Sequence, residues 1–216
     1  MNDADMKARL KELYLPPAND FVLVDVPEMR YIMIDGHGAA DRSALDHAVK
    51  WLFAAIYPIK RIARERMGKN FVDPPLEGLW WADDMKDFIH GNRDKLNWQM
   101  MIVYEPDWLT TEMFEDGVAT AKARLGEPPE SLRLESYHEG LSAQIMHVGA
   151  PADEGPTIAW LHHEFLPAHD LVPNGHHHEI YLNDPNRTVP EKMKTVLRQP
   201  VRSCHGPVRL GAASRP

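Results

Sequence analysis

LSAQIMHVG (Leu141 to Gly149) and RYIMIDGHG (Arg30 to Gly38) are two apolar runs of strand length that each stop on glycine. Short apolar runs closed by turn residues read as strands. The first-half run is followed by a helix-patterned stretch, Ser43 to Met67, and by the strand-like segments EGLWWA (Glu77 to Ala82) and WQMMIVYEP (Trp98 to Pro106). The second-half run is followed by helix-patterned Pro156 to Phe165, by HHHEIYLND (His176 to Asp184) and by MKTVLRQPV (Met193 to Val201). Each half reads strand, helix, strand, strand. The expected fold is α+β, a pair of duplicated modules with pseudo-twofold symmetry, with repeats over about 18–106 and 130–201. Residues 1–201 then form one domain, and 202–216, which have little periodicity, a flexible C-terminal extension.

Composition narrows the function classes. A chain of 216 residues that is 44% hydrophobic can build an ordinary core. A formal charge of -8 argues against a nucleic-acid surface, which needs clustered Lys and Arg. No apolar run is long enough to span a bilayer, and MNDADMKARL lacks the apolar segment of a secretory signal, so the expected location is cytoplasmic and no membrane partner is expected. A lone cysteine, Cys204, has no partner for an internal disulfide.

Local signals set the element boundaries. In the first helix Leu45, Val49, Leu52, Ile56 and Ile59 recur at helical spacing behind Ser43 as N-cap, and Pro58 is expected to kink or restart it beside Tyr57. Thr110 to Leu125 reads as a further helix with a Thr cap, early acids Glu112 and Glu115, and a Gly126 stop. Leu132 to Tyr137 and Leu141 to Val148 are expected to pair as a hairpin across His138, Glu139 and Gly140, and Phe21 to Val26 pairs likewise with Arg30 to Ile34 across Pro27.

Chemistry concentrates in the late strand. Period-2 alternation puts His178, Ile180 and Leu182 on one face and His177, Glu179 and Tyr181 on the other. Desolvation against rings disfavours the charged form of a carboxylate, which suits Glu179 to accept a proton or to serve as counter-charge to a cation. The bland alternative is a Glu on a solvent face. Trp98 and Tyr104 share a face, joined by Trp80 or Trp81, which must point to opposite sides; such rings make either a packed core or a cleft for a flat ligand. Glu77 is a second acid, expected at the surface. The histidines of HHEFLPAHD (His162 to Asp170) do not match zinc spacing, so neither a metal nor another cofactor is expected.

Four ordered segments, EGLWW (Glu77 to Trp81), YHEGLSAQIMHVG (Tyr137 to Gly149), HHHEIYLNDPNR (His176 to Arg187) and PEKMKTVLRQPV (Pro190 to Val201), resemble the GyrI-like small-molecule-binding domains, the family related to gyrase-inhibitory protein. The resemblance implies the Rob/GyrI-like effector-binding fold, with sheets meeting around a ligand cleft. It also implies a small aromatic ligand, with Glu179 matching the family's cleft-floor acid that attracts cationic drugs. No helix-turn-helix segment accompanies it, so the chain resembles a stand-alone member and not a transcription factor. A subgroup with the tryptophan pair and this HEIYL strand resembles hydrolases that open the electrophilic cyclopropane of DNA-alkylating natural products. There Glu179 would draw a proton from the attacking water, Tyr57 would assist, and Trp80, Trp81, Trp98, Tyr104 and Tyr181 would hold a flat substrate. A non-catalytic drug-binding, sequestering or sensor module uses the same residues.

Overall fold

The computed structural model describes residues 11–38, 42–84, 87, 92–105 and 108–205. Most of the 202–216 extension lies outside them. The chain divides into two compact units: a terminal unit, running up to Pro27 and again from His138, and a middle unit, Glu28–Tyr137.

The middle unit is built on β3 (Asn97–Val103), which pairs antiparallel with β1 (Val22–His37) and β2 (Leu76–Trp81). Paired residues of antiparallel strands share a face, so the registers Ile34↔Met100, Gly36↔Trp98 and Trp80↔Trp98 put all five on one side. That side packs on helix α1 (Ser43–Met67) through Trp51, Leu52, Ile56 and Ile59. Gly36 is required by its neighbour: a Cβ there would stand 2.0 Å from the Trp98 ring, whose Nε1 donates to the Gly38 carbonyl at 2.9 Å.

Helix α1 begins one residue earlier than the Ser43 cap predicts. Arg42 occupies the cap position at φ 58° without a side-chain capping bond, and Ser43 is the first helical residue. The helix runs unbroken through Pro58 to a left-handed Gly68, whose N–H and that of Lys69 satisfy the carbonyls of Arg64 and Ala63. Helix α2 (Thr111–Leu125) follows its sequence signals closely: the Thr110 hydroxyl accepts from Met113 N at 3.2 Å, and Gly126 ends it. Its buried line is Met113, Gly117 and Ala121. Gly117 lets α2 approach α1, since a Cβ would lie 2.4 Å from the Ala55 carbonyl oxygen.

In the terminal unit β7 (Lys194–Ser203) is central. One edge pairs antiparallel with β4 (Arg133–Val148), and the other with β6 (His177–Tyr181) and then β5 (Leu171–Pro173). Helix α3 (Gly155–Trp160) continues as a π-helical turn (Leu161–Phe165) and a last α-turn, α4 (Leu166–Ala168). Leu161, Phe165 and Leu166 bury against Ile145, Leu197, Val201 and Phe21. The last strand therefore reaches past Val201, with Leu171↔Ser203 paired.

Both expected hairpins are corrected. β1 is a single strand of 16 residues through Pro27, and β4 is another of 16 residues through His138, Glu139 and Gly140. Turn-forming residues permit a reversal without compelling one. Gly140 takes φ +71° inside the strand, absorbing the irregularity without folding the chain back. The chain passes between the two units inside these strands, at Pro27 and at His138.

The α1–α2 approach is testable. Gly117→Ala pushes a methyl into backbone and the Ile59 side chain, and is expected to cost about 1–3 kcal/mol, the usual scale of overpacking. Urea unfolding should show a lowered midpoint with unchanged slope; an unchanged midpoint would refute the contact.

Candidate functional site

The strand β6 sits between two chemistries because its side chains alternate. On one face His178 pairs in register with Arg198, which pairs with Gln144 on the other side. Arg198 is 1% exposed, and its fork is shared out: Nε donates to Gln144 Oε1 at 2.9 Å, Nη1 to Glu139 Oε2 at 3.0 Å, and Nη2 to the Leu13 carbonyl. Burial alone would raise the Glu139 pKa, but His178 and Arg198 outweigh it and hold the group down at about 2. Glu139 is thus a carboxylate at neutral pH. The His178 Nδ1, 3.0 Å away, must therefore carry the hydrogen of that contact. Gln144 Nε2 completes the arrangement by donating to the Glu12 carbonyl at 2.8 Å.

The opposite face carries Glu179. Its Oε2 accepts from the Tyr181 hydroxyl at 2.7 Å, and its side chain is 16% exposed. His177 Nε2 lies 3.7 Å from Oε1, too far for a hydrogen bond. Burial, followed by His162 and His178, depresses the His177 pKa to about 3, so its contact with Glu179 is not an ion pair at neutral pH.

A second acid on this face was not among the expected site residues. Glu154, just before α3, is 4% exposed, and its pKa is pushed up to about 8, chiefly by burial and then by the Glu179 charge, against a lowering hydrogen bond with Thr195. Thr195 in turn stands opposite Tyr181 in the β6–β7 register. Glu154 thus keeps its proton near neutral pH beside a second carboxyl, Glu179, and neighbouring carboxyls of this kind can exchange protons. The segment ADEGP gave no sign of it, because Asp, Gly and Pro read as an exposed turn and only tertiary packing buries the Glu.

The other expected residues divide between core and accessible positions. Trp98 and Tyr104 are 1% and 0% exposed in the core of the middle unit, which places them under α1 and not on an open wall. The Tyr104 hydroxyl donates to the Thr110 carbonyl at 2.8 Å, and burial pushes its pKa up to about 12. Trp80 faces α1, while Trp81 shares the opposite face with Leu79 and Glu77; both rings are half-buried. Glu77, expected at the surface, is fully buried. Tyr57 is 54% exposed, stacked on Phe53 at 5.8 Å, and belongs to the middle unit, whereas Glu179 and Tyr181 belong to the terminal one. Among the described residues no group of three or more His, Cys, Asp or Glu is arranged to hold a metal, and no helix is long and apolar enough to cross a membrane.

Residues 19–202 match the GyrI-like small molecule binding domain. The chain belongs to the GyrI-like family. Solved structures similar to this chain include an uncharacterized conserved protein from Listeria innocua, 36% identical, matched over 91% of this chain and 98% of that one with a TM-score of 0.79. A second, a hydrolase from the same organism, is 34% identical over 91% of this chain and 98% of that one, with a TM-score of 0.75. The C-terminal domain of EcmrR, 11% identical over 85% of this chain and 98% of that one, shares the fold at a TM-score of 0.52. No curated protein matches.

The buried acids make stability depend on pH in opposite directions. Glu154 binds a proton more tightly folded than unfolded, so its contribution is full below its ordinary 4.5 and is lost as pH rises through about 8. Glu139 contributes above its ordinary 4.5, and this is lost as pH falls towards 2; His177 loses its share between 6.5 and 3. Thermal midpoints should therefore fall on both sides of a mildly acidic to neutral optimum. Glu154→Gln should flatten the alkaline side only; an unaltered alkaline limb in that variant would contradict the assignment.

Proposed function

We propose that this GyrI-like domain binds flat aromatic molecules and hydrolyses cyclopropane-type alkylating toxins, with Glu179 as the general base. The observation that carries the reading is the Glu179 carboxylate itself, part-buried on β6, with one oxygen fixed by the Tyr181 hydroxyl at 2.7 Å. A carboxylate so oriented takes a proton from water as the water oxygen bonds to the strained carbon. The ring carbon–carbon bond breaks, its electron pair moves into the conjugated acceptor, and the acceptor is protonated, so the product is substrate plus one water. The similarity to the Listeria innocua hydrolase supports catalysis.

Tyr57 as the assisting group, and Trp80 and Trp81 as an aromatic wall, are carried by the family resemblance, and each keeps part of its ring accessible. The Tyr181 ring is tied to the base by its hydroxyl hydrogen bond. The order strand, helix, strand, strand is common to β1, α1, β2, β3 and to β4, α3, β6, β7, with the three-residue β5 additional in the second half, and this supports duplicated modules of pseudo-twofold type. The second reading, a binding or sequestering module for cationic aromatics, needs Glu179 only as a counter-charge.

Replacement of the base separates the two. Glu179→Gln is expected to lower turnover of a spirocyclopropyl cyclohexadienone by at least about a hundredfold, the scale of losing a general base. Neutral planar ligands should still bind. Wild-type rates in the variant would refute the catalytic role. Absent turnover in both proteins, with cationic aromatics bound far better by wild type, would establish the binding module instead.

A further inference from the structure

Glu154 lacks an ordinary structural explanation. It sits at the start of α3, where an acidic side chain could cap the helix, yet it makes no side-chain capping bond. Its Oε1 is buried and has no hydrogen-bond partner among the described residues. An acid held this way is costly in the charged form, and more so beside another carboxylate. Its side chain is instead turned to Thr195, which stands opposite Tyr181, the residue whose hydroxyl holds Glu179. The line Glu154, Thr195, Tyr181, Glu179 thus runs from α3 across β7 to β6.

We propose that Glu154 and Glu179 work as one carboxyl pair holding a single proton, with Glu154 the positioning residue that carries it and so keeps Glu179 ionised. This rests on the reading of Glu179 as the working carboxylate. The coupling runs in the useful direction. When Glu179 takes a proton from water its charge disappears, the repulsion that held the proton on Glu154 falls, and Glu154 becomes the stronger acid. A proton gained at one member is therefore offset by easier loss from the other, and the pair returns to its starting state once Glu179 gives its proton back.

The other ionisable groups on neighbouring elements are Asp153 beside it, His147 on β4, His177 on β6, His162 and His163 on the π-helical turn, and Lys194 next to Thr195 on β7. The charge that raises the Glu154 pKa is that of Glu179. His177 is held neutral and supplies no compensating positive charge.

The test is a carboxyl titration by carbon-13 NMR of glutamate-labelled protein, compared for wild type, Glu154→Gln and Glu179→Gln. Wild type should show one glutamate titrating near pH 8. That resonance should vanish in Glu154→Gln and move to lower pH in Glu179→Gln, where the repelling charge is gone. No alkaline glutamate in wild type, or one unmoved by Glu179→Gln, overturns the pair. Function is read on the same proteins, with Glu154→Asp as the conservative variant. With the spirocyclopropyl dienone, the pH profile of kcat/KM should have an alkaline limb near the NMR value that is absent in Glu154→Gln and restored in Glu154→Asp. Retention of that limb in Glu154→Gln refutes the positioning role. If wild type turns nothing over, hydrolysis fails while the pair is still judged by titration and by ethidium binding. Wild-type affinity should then rise across the Glu154 titration and that of Glu154→Gln stay flat; equal slopes count against the proposal.

Discussion

The buried fork of Arg198 is the constraint on which the terminal unit depends. A guanidinium with 1% exposure persists only when its donors are satisfied, and here Gln144, Glu139 and the Leu13 carbonyl take them. Removing one partner of such a group leaves an uncompensated charge, at a cost of about 3–5 kcal/mol. The network gathers β4, β6, β7 and the segment around residues 12–13 at one point. It also fixes the register of β6. With His178 drawn to Glu139, the residue next to it can only point the other way, and that residue is Glu179.

The position of Glu179 follows from that register. Glu179 lies on the side of the sheet that carries Leu197 and Ile145, the side packed by α3 and the π-helical turn. That packing brings Glu154 into the charge field of Glu179. On its own strand Glu179 meets neutral His177 and the Tyr181 hydroxyl, whereas Glu139 is bound by Arg198 on the other face. Two glutamates of one unit thus stand in opposite settings: Glu139 is buried and locked as an ion by Arg198 and His178, and Glu179 is part-buried beside Glu154, whose proton is held tightly.

Sequence made much of this legible and hid the rest for identifiable reasons. The alternation of HHHEIYLND assigned His178 and Glu179 to opposite faces, because period 2 is a property of the backbone. Thr110 and Gly126 announced α2 through local capping, which requires no tertiary information. Pro27 and Gly140 misled, since turn residues are compatible with a long irregular strand as well as with a hairpin. Tertiary packing decided the remainder: Trp98 and Tyr104 proved to be core, Glu77 and Glu139 were buried from turn-like or strand-edge contexts, and Glu154 emerged from a stretch with loop composition. Burial of an acid depends on what lies above it, and no periodicity encodes that.

In the proposed reaction Glu179 is a base that activates water, and not a nucleophile that bonds to the substrate. A single turnover of the spirocyclopropyl dienone in oxygen-18 water, with enzyme in excess, distinguishes the two by mass spectrometry. Water attack places the heavy oxygen in the ring-opened product and leaves the peptide containing Glu179 unlabelled. An unlabelled first product, with oxygen-18 in the Glu179 carboxyl, would show a covalent glutamyl ester and contradict the account.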